Sequence, residues 1–321
     1  MRVPILLVSA VLLACCSTVL ATPDATAPAA DAPAPDAPST ADAATTDAAS
    51  DAGPFITTLI DTHAHIWPRD KAVNDKYIDA FATSARGLGI RVVLGLHARQ
   101  KPDRPPTYST DHDTWTLEAV AKYPDVFVPA LNGFDPDDSG SVDYVKTQLA
   151  TGKWKMIGEL DVRNRPKETT TAMNHANLMK IYALAGQYKV PVMVHYDQCY
   201  ATDCATTTAE YDDALNKNPS TIFIHAHSCE IDKMKAHPNL YCEYETQGAP
   251  LPNELLDRVI FGTDEQHPEL VVRFQNPQDG SFVDQPYAYA IDDFRTKLTK
   301  LSATDAERVA IGNARTIKII D

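Results

Sequence analysis

Two imidazoles stand two residues apart in Ile60-Asp61-Thr62-His63-Ala64-His65, directly after the β-prone start of the run Phe55 to His63. On a strand, side chains i and i+2 share a face, so His63 and His65 project together as a chelating pair does. An H-x-H pair also arises by chance, and its meaning rests on what answers it further along. Glu159 follows Met156-Ile157-Gly158, His195 follows Val192-Met193-Val194, and Asp264 follows Val259-Ile260-Phe261-Gly262-Thr263. Ile224-His225-Ala226-His227 adds two more imidazoles. Taken singly, a carboxylate that ends an apolar run is commonly a cap, and a lone His a satisfied polar residue. Taken together, these are imidazole nitrogens and carboxylate oxygens without thiolates. Such a set suits a divalent metal, Zn2+ first and Mn2+, Fe2+ or Ni2+ also compatible, at one or two ions per chain. A metal of this kind lowers the pKa of a bound water towards about 7 and polarises a carbonyl or phosphoryl centre. Asp264 beside it is expected to take the water's proton and pass it to the leaving group, with Glu159 holding metal rather than moving protons.

The elements that must position these groups are legible as eight apolar runs: 55–63, 90–97, 126–131, 154–160, 190–195, 221–227, 240–245 and 258–264. Helix-period apolar positions fill 74–86, 114–122, 142–150, 171–188, 207–216 and 231–236 between them. Strands alternating with helices predict an α/β fold, a (β/α)8 barrel of the TIM type, whose chemistry gathers at the C-terminal strand ends. An open doubly wound sheet is the alternative, but no G-x-G-x-x-G follows any run. The crossover 246–257 carries Pro250 and Pro252 and predicts a single turn. The tail from Tyr287 to Ile320 is expected to be helical and to cover the outside of the barrel.

With these residues in place, the chain resembles the amidohydrolase superfamily, in particular its amidohydrolase 2 group. The matching motifs are Asp61-Thr62-His63-Ala64-His65, Ile157-Gly158-Glu159, Val194-His195, Ala226-His227, Phe261-Gly262-Thr263-Asp264 and Ile311-Gly312-Asn313-Ala314-Arg315. The resemblance implies a metal-dependent hydrolase on a distorted barrel. His63, His65 and Asp264 would hold one ion, His195 and His227 a second, and Glu159 would bridge them. It favours His227 over His225 as ligand and leaves His225 one layer deeper. Amide, ester, lactone and phosphoester substrates stay open. Two other readings remain. One is a mononuclear decarboxylase-type enzyme, with His63, His65, His195 and Asp264 on one metal. The other is a non-catalytic binding lipoprotein on the same barrel.

Candidate substrate contacts are His97, Arg99, Glu243 and His267, with Asp197, Tyr200 and Gln266 as further loop residues. The partner expected is a small molecule; oligomeric state is not legible. The chain has 321 residues and a formal charge of -14. Its folded part stays acidic once the Asp-rich spacer is set aside, which argues against a nucleic-acid partner.

Residues 1–21 read as an exported signal with the single Arg2 before an apolar run, too short for a membrane span. Leu12-Leu13-Ala14-Cys15 resembles a lipobox that would lipidate Cys15 and hold a bacterial lipoprotein in the periplasm or at the outer membrane; that anchor is the one membrane contact expected. Residues 22–53, almost all Ala, Pro, Asp, Thr and Ser, read as a solvated linker, and 54–321 as the barrel domain. In an oxidising compartment Cys199, Cys204, Cys229 and Cys242 suggest disulfides. Cys199 with Cys204 closes a short loop and leaves Cys229 with Cys242, although four cysteines allow three connectivities.

Overall fold

Every residue of β1 (Leu59–His65) is buried, as expected of a parallel strand covered on both faces. The computed structural model describes residues 58–66, 70–95, 108–245, 250–267, 269–275 and 281–321. The signal, the linker, Cys15, His97 and Arg99 lie outside the described residues. Helix α1 (Lys71–Leu88) shows why the local sequence folds as it does. Asp70 caps its first turn by accepting from the Ala72 and Val73 amides, and Gly89 ends it in the left-handed conformation. Its buried residues Asn74, Tyr77, Ile78, Phe81, Ala82 and Ala85 repeat at three and four, which lays one face on the sheet.

The alternation continues through β2 (Ile90–Gly95), α2 (Thr110–Lys122), β3 (Phe127–Leu131), α3 (Ser141–Ala150) and β4 (Met156–Asn164). A two-residue strand β5 (Thr169–Thr170) folds back on β4 before α4 (Ala176–Tyr188), β6 (Val192–Tyr196), α5 (Cys204–Lys217) and β7 (Phe223–His225). Next come α6 (Ile231–Ala236), β8 (Leu240–Glu245), a 3-10 turn at Leu256–Arg258 and β9 (Val259–Gly262). The eight parallel strands pair in the order β1-β2-β3-β4-β6-β7-β8-β9. A parallel bridge from Ala64 to Glu265, with the His65 amide donating to the Glu265 carbonyl, joins the two ends. The expected (β/α)8 barrel is therefore present and nearly closed. An antiparallel pair, β10 (Val271–Gln275) and β11 (Phe282–Pro286), precedes α7 (Tyr287–Leu298).

The tail departs from its expected place. Helix α7 does pack outside the barrel, Phe294 stacking on Phe261. After α8 (Ala303–Glu307), a π-helical turn (Arg308–Gly312) and α9 (Asn313–Thr316), the chain instead turns inward. Ile311, Ile317, Ile319 and Ile320 join Ile60, Val93, Val128, Met156, Met193, Ile224 and Ile260 in the apolar core of the barrel. Four isoleucines cannot be left in water, and the N-terminal end of the barrel is where they are covered.

Two irregularities aim the mouth residues. Ile60 belongs to this inner core, so regular alternation would turn His63, three residues later, to the outer face. A register shift between Asp61 and Ala64 corrects the parity. Strand β4 repeats the device: Met156 is inside, the register shifts between Ile157 and Leu160, and Glu159 again faces inward. Gly158 sits there at φ 110, and a Cβ would run into the Met193 carbonyl.

Candidate metal centre

His63 enters the site with its Nδ1 2.9 and 3.0 Å from the two oxygens of Glu243, a carboxylate with no exposed side-chain surface. A carboxylate only accepts here, so Nδ1–H donates and Nε2 carries a lone pair. That Nε2 lies 3.2 Å from His65 Nε2 and 3.5 Å from both Glu159 Oε2 and Asp264 Oδ1. His65 Nε2 is 2.9 Å from the same Asp264 oxygen and 3.8 Å from Glu159 Oε2. Four donor atoms thus face one point. On the other side of Glu159, Oε1 lies 2.9 Å from His195 Nδ1 and 3.1 Å from His227 Nε2. His227 is oriented like His63, its Nδ1 2.9 Å from Glu245 Oε2.

This donor set fits metal. In the neutral forms of His63 and His227 the nitrogen turned to the centre is the one with the lone pair, and it faces other lone pairs at 3.1 to 3.5 Å. A cation between them removes that repulsion, and carboxylates behind the imidazoles are what sets ligand tautomers. His63, Glu159, His227 and Asp264 meet the spacing of one ion site, and Glu159, Asp161 and His195 that of another.

The electrostatics agree. Burial works against charge on His63, yet Glu243 and Glu159 raise its imidazole well above the ordinary range. Burial likewise opposes charge on His195, but Asp197 and Glu159 lift it to about 9. Burial would raise Glu159, but Lys167, His63, His195 and His227 hold its carboxyl well below the usual range. Protons on those imidazoles stand where divalent cations would stand.

All six residues read from the sequence as ligands, His63, His65, Glu159, His195, His227 and Asp264, come together here. Asp264 and His227 sit just beyond their strands at positive φ, 52 and 61, the left-handed region that Asp and His enter more readily than most residues with a Cβ. His225 lies deeper, its Nε2 3.4 Å from the Tyr196 carbonyl. Glu243, expected among the substrate contacts, stands instead behind His63, and its Oε2 also accepts from the His227 amide at 3.1 Å. Gly262 makes room for it, since a Cβ there would meet Glu243 Oε1. His267 is half exposed and points its Nδ1 at the Glu269 amide, 3.4 Å away. Both expected sulfur pairs are bonded, Cys199 to Cys204 and Cys229 to Cys242, with Cα separations of 4.3 and 4.9 Å.

Sequence reasoning missed several residues. Asp61 accepts from the His63 and Thr263 amides, the Thr263 hydroxyl and Tyr287, tying β1 to β9 beneath the ligands. Glu245 backs His227. Lys167, on the turn between β4 and β5, sets its ammonium 3.0 Å from both oxygens of Asp161 and 3.7 Å from Glu159 Oε2. The one available signal was parity: Glu243 and Glu245 are two apart on β8, and Asp161 is two beyond Glu159.

The sequence profile of the amidohydrolase family Amidohydro_2 matches residues 60–317. No curated protein matches the chain. Among solved structures, 2,6-dihydroxybenzoate decarboxylase from Rhizobium is similar at TM-score 0.54 and 14% identity, over 82% of this chain and 98% of that one. A dihydroxybenzoic acid decarboxylase from Polaromonas with bound manganese and 2-nitroresorcinol reaches 0.53 at 14% identity, over 82% and 97%. Dihydroorotase from Campylobacter jejuni reaches 0.52 at 12% identity, over 82% and 84%. At these identities the likeness concerns the fold.

Proposed function

The chain belongs to the amidohydrolase family, and on that premise we propose that it is a metal-dependent hydrolase of a small amide, ester, lactone or phosphoester, working with two divalent ions, Zn2+ first. The observation that carries this reading is Glu159, whose Oε2 faces His63 and His65 while its Oε1 faces His195 and His227. One carboxylate shared between two imidazole pairs is the arrangement two ions need. Ions held there would supply Lewis-acid polarisation of the substrate oxygen and an acidified water. The chain's own residues do the rest. Asp264, its Oδ2 accepting from Gln266 at 3.0 Å, is placed to take the water's proton and return it to the leaving group. Glu243 and Glu245 keep His63 and His227 turned inward, and Glu159 stays ionised.

The comparisons taken alone lean to the second reading, a one-metal decarboxylase, because dihydroxybenzoate decarboxylases stand among the structures the fold resembles. Lys167 lends it support, since its ammonium already places one positive charge against Asp161 and Glu159. Metal content by mass spectrometry, run beside assays for hydrolysis products and for carbon dioxide, separates the two. About two ions and hydrolysis are expected; one ion with carbon dioxide released from a hydroxybenzoate would replace the first reading with the second. We also propose that the chain is exported and anchored at Cys15, with 22–53 as spacer. Fatty-acid labelling that persists in Cys15→Ser would end that proposal.

A further inference from the structure

A cavity of about 530 Å3 opens onto the outer side of the metal centre, between the ends of β6 and β7; the proposed ligands His195, His227 and Asp264 form one part of its wall, and Asp197, His225, Glu230 and Glu245 the rest. Among the described residues, no Lys or Arg lines it. An acidic wall alone assigns nothing; His225 does more. It is 4% exposed, and its Nε2 faces a carbonyl oxygen, which only accepts, so Nε2–H is the donor and Nδ1 carries the lone pair. Among the described residues, that Nδ1 has no hydrogen-bond partner. The group nearest to it in charge terms, Glu230 Oε1 at 3.6 Å, is another acceptor. Two acceptors side by side, one of them deeply buried, ask for a single group with several N–H donors.

We infer that this cavity binds a primary ammonium of the substrate, between His225 Nδ1 and Glu230, with the third N–H left to solvent. Lysine-type ammonium groups have three donors and no acceptor, which matches the two acceptors His225 Nδ1 and Glu230 Oε1. The inference rests on the hydrolytic reading for its consequence, which is a preference for amides or esters that carry a free amine near the scissile bond.

The test uses the full chain loaded with Zn2+. Calorimetric or NMR titration with n-propylammonium is expected to saturate, with n-butanol and butyrate binding at least tenfold more weakly. Glu230→Gln, at a half-buried site and of the same shape, is expected to weaken the ammonium about tenfold; His225→Phe should do likewise, its folding checked by circular dichroism. In parallel, alanine p-nitroanilide is compared with propionyl p-nitroanilide, which lacks the amine. A kcat/KM at least tenfold higher for the cationic substrate, lost in Glu230→Gln, supports the assignment. Equal kcat/KM for the two, absent saturation, or ammonium binding unchanged in Glu230→Gln overturns it. If neither anilide is cleaved, the hydrolytic reading is what fails, and the titration alone decides the cavity.

Discussion

The two halves of the metal centre are built from the same parts and set at different depths. His63 and His65 are 2% and 1% exposed, and His63 rests on Glu243, which has no exposed side-chain surface, and on the Asp61 network below. His195 and His227 are 16% and 21% exposed and are backed by Asp197 and Glu245, at 34% and 9%. In a dry site the orienting carboxylate acts at low dielectric and cannot be replaced by water; near the mouth both effects weaken. On the two-ion proposal, the comparison makes the inner half the tight, permanent site and the outer half the one expected to exchange metal and meet substrate.

The largest effect should come where the halves join. Glu159→Gln removes the shared negative charge, and metal content is expected to fall from about two ions per chain to one or none, with activity lost. Two ions retained in that variant would dissolve the idea of halves sharing a carboxylate. Next is Asp264→Asn, which should keep most of the metal yet lower kcat by about 10²-fold to 10⁴-fold, since the proton acceptor goes while the imidazoles remain. Steady-state kinetics beside metal analysis checks it, and full turnover would remove Asp264 from proton transfer.

The contrast in depth is tested by the orienting carboxylates. Glu243→Gln is expected to weaken the inner metal about 100-fold and Glu245→Gln the outer metal about tenfold, the two ends of the range for such partners. Chelator competition measures both, and the reverse order would invert the assignment of tight and exchangeable sites. The smallest change is expected for Asp197→Asn. Its carboxylate is a third exposed and 3.5 Å from His195 Nε2, so up to about fivefold in outer-site affinity is anticipated, as for other solvent-screened pairs.

Much of this centre was legible before any coordinates. The strand ends carrying His63, Glu159, His195 and Asp264 follow apolar runs, and burial patterns of that length are local properties of the chain. The alternation that built the barrel is local too, as are the cysteine pairs, whose partners lie 5 and 13 residues apart. His225 against His227 was not decided locally, because an alternating strand offers both or neither to one face. In the fold, His227 sits at a left-handed turn and brings its Nε2 to 3.1 Å from Glu159 Oε1, while His225 stays deeper.

What the sequence determined by itself, then, is which residue types stand at which strand ends, because hydrophobic period and turn chemistry act over a few neighbours. What only the tertiary structure decided is how they are aimed and backed. The bulges at Asp61 and Gly158 reverse the parity that simple counting assumes, and neither leaves a period in the sequence. Glu243 finds His63 across 180 residues, and the isoleucines after Gly312 find the far end of the barrel. Such partners are chosen by closure of the sheet into a ring, which brings the first strand and the last together and is encoded in no single stretch of chain.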